Sequence, residues 1–352
     1  MISRVIGGEY AVDLDISYNC KTGTKSNLYA SGRGAFRAIL QHFIPDMKGE
    51  ILLPDYICES VPNMILSLGL TASFYHINED FLPEIESILK KINGKKAIVL
   101  VNYFGMISST QNGELIDEIK RANPSIKIII DDVQNYFGID SEDKCDYAFT
   151  SFRKWFPVPD GARAVWKNGS SYEDLYPDER TYGSISVFSK YKFAGNMLKN
   201  YRGIIGDEVS LELLEKGEKM VSDETLCVAL PTTSPAIAQL DMNKIRKKRK
   251  RNAEVIHEGL TQMGIKHLYS EDAVPLFVPI VLDRGRDIVR KKMFSQSIFC
   301  PIHWNCDWMI KINSACRNTL ADKELSLICD HRYDEHDMKK QLEILKDACA
   351  NI

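Results

Sequence analysis

The feature that constrains the fold of this chain most is an alternation of short apolar runs with helical patterns over its first two-thirds. The runs lack the apolar–polar alternation of a sheet with one wet face, which is typical of strands covered on both sides. A strand–helix rhythm of this kind predicts an α/β fold with a mostly parallel central sheet flanked by helices. The runs are residues 51–53, 71–75, 97–101, 126–130, 147–150 and 162–166, and the helical stretches between them are 34–42, 60–68, 82–91 and 113–122.

The pattern changes beyond residue 170. Residues 171–225 are rich in Gly, Ser, Tyr and Lys, which predicts a loop-rich or irregularly helical segment. Residues 237–260 predict one long helix, and shorter strand and helix signals follow to residue 352. We therefore expect a large α/β domain over residues 1–240 and a smaller C-terminal α/β domain over residues 241–352.

Charge and cysteine content exclude several classes of protein. Lys and Arg number 45 against 48 Asp and Glu, so the net charge of −3 gives no global case for nucleic acid or an anionic membrane. The basic run 244–251 is expected to be a solvated helix face. The nine cysteines show no CxxC spacing, His331 and His336 lack metal-ligand companions, and no apolar run suits a membrane span. We expect a cytoplasmic protein without a metal site.

The strongest candidate for chemistry is the segment in which Lys154 follows a predicted strand end. The lysine stands before a turn with two prolines and a glycine, a rigid setting that a mobile surface lysine does not need. An amine that forms a Schiff base needs such fixed geometry and a lowered pKa. Ser151, three residues earlier, could give its hydroxyl to a phosphate. On this segment alone, a lysine lying along a surface loop is the simpler interpretation.

Two carboxylates, Asp131 and Asp132, follow the predicted strand 126–130. Ligands of open α/β sheets bind beyond the carboxyl ends of the strands, where a carboxylate can keep a pyridine nitrogen protonated. Gln134, three residues after Asp131, could contact the other edge of such a ring. The residues alone are equally compatible with two carboxylates that cap the next turn or helix.

A third candidate is the start of the first predicted helix, at Ser31, Gly32 and Arg33. Free N–H groups and the positive end of the helix dipole make such a start an anion site, although Ser-Gly is also a common cap. Neither GxGxxG nor GxxxxGK[ST] occurs in the sequence, so a dinucleotide fingerprint and a P-loop lack support.

Taken in order, these segments resemble the fold-type-I pyridoxal-phosphate enzymes, and most closely the DegT/DnrJ/EryC1/StrS aminotransferases. The likeness covers most of the chain. Residues 31–35 stand at the family's phosphate turn, and residues 131–134 at its Asp-x-x-Gln/His motif. Further matches are residues 53–56 and 101–105 at two strand ends, 154–162 at the Schiff-base lysine and its turn, 301–303 at a Pro-Leu-His segment, and 325–333 before the final helix.

The resemblance implies pyridoxal 5'-phosphate as the cofactor. Lys154 would be the Schiff-base lysine that shuttles a proton, and Asp131 would pair with the pyridinium nitrogen. We prefer Asp131 to Asp132 because only Asp131 has a glutamine at the third following position. The remaining implied roles are phosphate binding by Gly32, Arg33 and Ser151, ring contacts by Asn102 and Gln134, and substrate contacts by Tyr56 and His303.

The sequence departs from the family at several points. Cys58 stands where many members have an aromatic residue that stacks on the ring, so it stays open whether Tyr56 or another aromatic takes that place. Arg33 replaces the usual Thr of the phosphate turn. The family's Asn-Tyr-Arg-Met segment is absent, and residues 171–225 match nothing in it.

The resemblance implies an aminotransferase that moves an amino group from an amino acid, with glutamate the expected donor, to a keto-sugar that is nucleotide-linked. It also implies a homodimer with shared sites. Two alternatives stay open: other pyridoxal chemistry (a lyase, dehydratase or epimerase), and a binding or regulatory protein without turnover. Lys154 argues against the dehydratases that carry His there, and the intact set of Lys154, Asp131 and Ser151 argues against a pure binder.

Overall fold

The computed structural model describes residues 5–21, 25–106, 109–139, 144–178, 186–201, 204, 206–221, 226–308 and 318–350. Within these ranges the chain is α/β, with a mostly parallel central sheet flanked by helices, which confirms the predicted fold class. The strands are β1 (Ile6–Gly7), β2 (Glu50–Pro54), β3 (Thr71–Tyr75), β4 (Ala97–Val101), β5 (Lys127–Asp131), β6 (Tyr147–Ser151), β7 (Ala162–Asn168), β8 (Ser171–Asp174), β9 (Phe277–Val281), β10 (Ile298–Phe299) and β11 (Glu324–Ile328).

The α-helices begin close to where the sequence predicted in most cases. The first, for example, has Ser31 as its N-cap, whose side chain accepts a hydrogen bond from the Gly34 N–H at 3.2 Å. The described helices are α1 (Gly32–Phe43), α2 (Ser60–Ser67), α3 (Ile85–Leu89), α4 (Ser109–Ala122), α5 (Val187–Leu198), α6 (Glu208–Val221), α7 (Thr233–Ala238), α8 (Met242–Met263), α9 (Arg286–Ser295), α10 (Leu320–Lys323) and α11 (Glu335–Cys349).

The central sheet has the strand order β3-β2-β4-β5-β6-β7-β8. The strands from β3 to β6 are parallel, whereas β7 and β8 are antiparallel to their neighbours. The chain order reverses between β2 and β4, and such a reversal opens a crevice beyond the carboxyl ends of the strands. The register aligns Val101, Asp131 and Phe149 side by side across β4, β5 and β6. The carboxyl ends of these three parallel strands therefore lie at one edge of the sheet.

Two predicted elements have different limits in the structure. The strand expected at 126–130 lies one residue later, because Lys127 and not Ile126 is the first residue paired with β4. Asp131 consequently belongs to the end of β5. The helix expected at 82–91 is only α3, because Pro83 pairs with Ile77 in an isolated bridge and the helix begins after it.

The prediction of loop or irregular helix for residues 171–225 is wrong for the described part of that segment. It holds β8 and two regular helices, α5 and α6, that pack against each other. Two of its glycines are contact points within helices: a Cβ at Gly195 would lie 2.7 Å from Leu214 Cγ, and one at Gly217 would lie 3.0 Å from Lys192 Cγ. Small residues let these helices approach closely, and a propensity-based interpretation mistakes them for breakers.

The single helix predicted over 237–260 is two helices. The first, α7, ends at Ala238, and Asp241 begins α8 as its N-cap by accepting a hydrogen bond from the Lys244 N–H at 2.9 Å. The predicted domain boundary near residue 240 falls at this break, and the division into two domains stays a prediction. Among the described residues, no helix combines the length and the apolar character that crossing a membrane requires.

The expectation of a solvated basic face at 244–251 is wrong at Arg249, whose side chain is fully buried. Its guanidinium donates to the carbonyls of Pro275 and Leu276 at 3.0 and 3.1 Å and to the Tyr10 hydroxyl at 2.8 Å. Arg249 therefore ties α8 to the N-terminal segment and to the chain before β9.

The C-terminal helix α11 begins with a reciprocal cap that we expect to be measurable. Asp334 accepts from the Asp337 N–H at 3.2 Å, and the Asp337 side chain accepts from the Asp334 N–H at 3.1 Å. Asp334→Ala should destabilise the protein by about 1 kcal/mol, because it leaves helix N–H groups unpaired. Asp334→Asn, which keeps an acceptor, should retain most of that stability in thermal unfolding. Equal losses for the two variants would contradict the capping role.

Candidate active site

A cavity of about 470 Å³ lies at the edge of the sheet where β4, β5 and β6 end. Its wall combines strand ends, the start of α1, residues of α5 and α6, the N-terminal segment, and the C-terminal third of the chain. Seven of the nine residues predicted to bind cofactor or substrate line it: Gly32, Arg33, Asp131, Gln134, Ser151, Lys154 and His303.

Lys154 enters the cavity directly after the end of β6, in the short 3₁₀ helix Phe152–Lys154. Its Nζ makes no hydrogen bond to any residue in the described ranges. Burial lowers the pKa of this amine, and the neighbouring Arg153 lowers it further, whereas Cys58 and Asp131 act in the opposite direction. A lowered pKa makes the free amine more available as a base or nucleophile.

The turn behind Lys154 is held by contacts on both sides. Gly161 has φ +103°, and a Cβ there would lie 2.9 Å from Thr233 Cγ2, so only glycine fits without a shift. The Asp160 carboxylate accepts from the Leu230 N–H at 2.8 Å and from the Thr233 hydroxyl. Burial raises the pKa of Asp160 to about 6. The turn predicted to be rigid is therefore anchored to the segment that leads into α7.

The two adjacent carboxylates have different environments. Asp131 lines the cavity, and one of its oxygens accepts from the Val133 N–H at 3.0 Å. Burial raises the pKa of Asp131 to about 6, against the opposing effect of Lys154. Asp132 lies outside the cavity wall, where its Oδ1 accepts from the side-chain amides of Asn102 at 2.5 Å and Asn135 at 2.9 Å. The geometry favours Asp131 for contact with a bound molecule.

Two predicted site residues do not reach the cavity. Asn102 is buried and uses its amide to hold Asp132. Tyr56 is fully buried among aromatic rings, with its ring centroid 5.0 Å from that of Trp304, and its hydroxyl donates to Glu324 at 3.3 Å. The sequence placed both residues near strand ends correctly, but the direction of a side chain at a strand end depends on packing partners distant in the chain.

The start of α1 offers a cradle for an anion. Gly32 is the first residue of the helix, and the first N–H groups of any helix have no partner within it. A Cβ at Gly32 would lie 3.3 Å from Val133 Cγ2 and 3.6 Å from Ser151 Cβ, so the absence of a side chain keeps this corner open. Ser31, Gly32 and Ser151 all line the cavity there.

Sequence reasoning missed a charge network on the other side of the cavity. Lys192, which is 1% exposed, contacts Glu9 at 2.8 Å and Glu218 at 2.9 Å, and Glu218 also forms a two-point pair with Arg153 at 3.1 and 3.2 Å. Although burial opposes ionisation, Arg153 and Lys192 lower the pKa of Glu218 to about 2. These residues lie far apart in the chain and form no motif, so only a contact map could have found them.

No protein-family model and no curated protein matches this sequence, whereas solved structures match it over nearly the whole chain. Spr1654 from Streptococcus pneumoniae, described as a candidate sugar aminotransferase and solved in its PMP form, has a TM-score of 0.67 and 16% identity over 98% of this chain and 94% of that one. DesV from S. venezuelae, solved with a ketimine intermediate, has a TM-score of 0.63 and 15% identity, with coverages of 91% and 83%.

A DegT DnrJ EryC1 StrS aminotransferase from Brucella abortus has a TM-score of 0.60 and 16% identity, covering 91% of this chain and 84% of that one. The fold is therefore that of the fold-type-I pyridoxal-phosphate aminotransferases. Within that class it is the fold of the sugar aminotransferases of the DegT type, as the resemblance in the sequence predicted.

The raised pKa of Asp131 predicts a pH-dependent stability of the cofactor-free protein. With a pKa near 6 in the folded state against 3.8 as the ordinary value, this carboxyl favours folding below pH 4, and that contribution is lost as the pH rises through 6. Asp131→Asn should therefore be more stable than the wild type at pH 7 by about 2 to 3 kcal/mol, and the difference should vanish near pH 4.

Asp146→Asn is the control with the opposite sign. Burial opposes the ionisation of Asp146, but the Ile128 N–H, Lys120 and Lys127 outweigh it and lower the pKa. This variant should be less stable than the wild type at neutral pH. Urea unfolding followed by circular dichroism from pH 4 to 8 measures both differences, and a destabilised Asp131→Asn at pH 7 would contradict the assigned environment.

Proposed function

We propose that this protein is a pyridoxal-phosphate-dependent aminotransferase that moves an amino group from an amino acid, expected to be glutamate, to a nucleotide-linked keto-sugar. The observation that carries the proposal is the pairing in one cavity of a partly buried lysine without a hydrogen-bond partner among the described residues and a buried aspartate at the end of the adjacent strand. The likeness in fold to sugar aminotransferases supports the same function.

The residues present fit the cofactor. Gln134 Oε1 accepts from the Phe104 N–H at 3.0 Å, which leaves its Nε2 as a buried donor that no described residue satisfies. A buried donor without a partner costs about 1 to 3 kcal/mol, so a bound oxygen is the natural occupant. The open corner at Gly32, next to Ser151 and the first amides of α1, suits a phosphate. A pyridine ring between these points would lie beside Asp131.

The chemistry divides between the cofactor and the chain. When bound, pyridoxal phosphate would carry the amino group and withdraw electrons from the carbon that loses a proton. Lys154 would move that proton between the substrate's Cα and the C4′ carbon of the cofactor, because its lowered pKa makes the free amine available. Asp131 would hold a proton on the ring nitrogen by accepting a hydrogen bond from it. Gln134 would donate to the oxygen on the ring.

The charges of the cavity wall do not by themselves select a substrate class. Four arginines line the cavity (Arg33, Arg153, Arg249 and Arg332), and so do four carboxylates (Glu9, Asp131, Glu218 and Asp330). Arg153 is paired with Glu218, Arg332 is paired with Asp330, and the Arg249 guanidinium donates to backbone carbonyls, so the nucleotide-linked sugar is proposed from the family resemblance. We further propose, from the family resemblance, that the protein acts as a cytoplasmic homodimer, with a large domain over residues 1–240 and a small one over residues 241–352.

The cofactor assignment predicts a covalent label. Purified protein incubated with pyridoxal phosphate should turn yellow, and borohydride reduction should fix the pyridoxyl group on Lys154, identified by peptide mass spectrometry. Lys154→Ala should give no labelled active-site peptide. Lys167→Ala, which removes a lysine from the exposed end of β7, should label like the wild type. Wild-type protein that neither colours nor labels would remove the basis of the proposal.

The reaction class predicts two separate half-reactions. Glutamate should convert the yellow wild-type enzyme to the pyridoxamine spectrum, and a nucleoside-diphosphate keto-hexose from a panel that varies the base and the ketone position should restore the yellow form. Asp131→Asn should slow both steps by at least about 100-fold, because it removes the charge that keeps the ring nitrogen protonated. Asp132→Asn, outside the cavity, should cost far less.

Those outcomes separate the alternatives. A yellow enzyme without any spectral change on amino-acid addition would contradict transamination and favour another pyridoxal reaction. Equal losses for Asp131→Asn and Asp132→Asn would contradict the role given to Asp131.

A further inference from the structure

A buried glutamate stands behind His303 in the cavity wall. Glu324, the first residue of β11, has no solvent exposure. One carboxylate oxygen accepts from the Ser326 hydroxyl at 2.5 Å, and the other accepts from the backbone N–H of His303 at 3.0 Å and from the Tyr56 hydroxyl at 3.3 Å. Each of these three contacts sets a donor group against a carboxyl oxygen. Glu324 is thus an acceptor at every contact.

The direction of the hydrogen bonds follows from this carboxylate. The Ser326 hydroxyl has one proton and donates it to Glu324, so its oxygen must accept in its contact of 3.0 Å with His303 Nδ1. The proton of a neutral His303 ring therefore lies on Nδ1, and Nε2 carries the lone pair.

The ring is held so that Nε2 is the atom available to a molecule in the cavity. The rings of Phe104 and Phe277 form T-shaped contacts with His303, with centroid distances of 4.8 and 5.0 Å. Nδ1 and the backbone N–H are occupied, whereas Nε2 makes no hydrogen bond to any described part of the chain, and His303 lines the cavity.

We propose that Glu324 and Ser326 are positioning residues that present His303 Nε2 as a hydrogen-bond acceptor, and that this atom selects a sugar hydroxyl of the amino-group acceptor. A phosphate offers mainly acceptors at neutral pH and is disfavoured at this point, since two facing acceptors repel. The nucleotide end of the substrate then lies away from His303. This inference rests on the proposed function, but the arrangement of protons is a property of the protein alone.

The arrangement can be measured without any substrate. In protein labelled with ¹⁵N at its seven histidines, the His303 resonances are identified by their loss in His303→Asn. Long-range ¹H–¹⁵N correlation at pH 7.5 should show Nδ1 protonated and Nε2 bare. An Nε2-protonated ring, or one protonated on both nitrogens, would overturn the proposal.

Glu324→Gln keeps the shape of the side chain but should reverse the direction of the hydrogen bond between Ser326 and His303. The His303 N–H and the Tyr56 hydroxyl need an acceptor, so the glutamine oxygen should face them and its NH₂ should face Ser326. Ser326 would then donate to Nδ1, and the proton of His303 would move to Nε2. The same spectrum should report this change of tautomer, while circular dichroism and cofactor binding stay as in the wild type. An unchanged tautomer in a folded Glu324→Gln would contradict the relay.

Kinetics then test the selection of a hydroxyl. With the keto-hexose that the panel selects, Glu324→Gln should raise KM about tenfold, as for one lost hydrogen bond of about 1.4 kcal/mol, with the glutamate half-reaction within about twofold of the wild type. In the wild type, one of the monodeoxy analogues should have a KM raised by a similar factor. In Glu324→Gln, removing the same hydroxyl should raise KM no further, because its hydrogen bond is already lost. Ser67→Ala, which removes an exposed hydroxyl at the end of α2, is the matched surface control.

Two results would overturn the selection of a sugar hydroxyl. The first is that every deoxy analogue raises KM by the same factor in Glu324→Gln as in the wild type, so that no sugar hydroxyl is coupled to His303. The second is a defect confined to the glutamate half-reaction, which would place the donor's ammonium at His303. If no keto-hexose reacts with the wild type, the proposed function fails at the acceptor step, and the tautomer measurement still decides the Glu324–Ser326 arrangement independently.

Discussion

The pairing of three parallel strands is the constraint on which the rest of this structure depends. Backbone hydrogen bonds place Val101, Asp131 and Phe149 in register, so β4, β5 and β6 end at one edge of the sheet. Lys154 follows the last of these strands within a single 3₁₀ turn. A carboxylate and an amine that are more than twenty residues apart in the chain therefore line the same cavity. The Val133 N–H donates to Asp131, and the contacts of Asp160 with Leu230 and Thr233 anchor the turn that follows Lys154.

Buried polar groups divide into two sets around that cavity. Several are bonded within the protein: Asp132 accepts from two asparagines through Oδ1, Asp160 accepts at the start of α7, and the half-buried Glu218 pairs with Arg153 and Lys192. Among the described residues, three buried side-chain atoms of the cavity wall have no hydrogen-bond partner: Gln134 Nε2, Asn196 Oδ1 and Arg249 Nε. Because unpaired buried polar atoms are costly, those that persist in a cavity wall indicate where a bound molecule makes its contacts.

Local sequence predicted the central sheet well and the helical hairpin α5–α6 poorly, for one physical reason. The apolar runs of β4 and β5 are buried on both faces, so their composition reports their environment directly. A segment rich in glycine favours loops by local propensity, but Gly195 and Gly217 permit two helices to pack closely. A basic run favours a solvated helix face, but the side chain of Arg249 is buried and donates to the Tyr10 hydroxyl. The structural role of such residues depends on a contact with a distant segment, which the local sequence does not show.

The sequence by itself determined the α/β class and the alternation of strands and helices in the central sheet. It also placed Lys154, Asp131 and Gln134 at or just beyond strand ends and Gly32 at the start of a helix, because these features depend on residues close together in the chain. The tertiary structure alone decided that Asp131 and not Asp132 lies in the cavity wall, that Asn102 and Tyr56 lie behind it, and that Glu324 and Ser326 stand behind His303. Side-chain direction and hydrogen-bond polarity follow from contacts between distant segments, which no local pattern encodes.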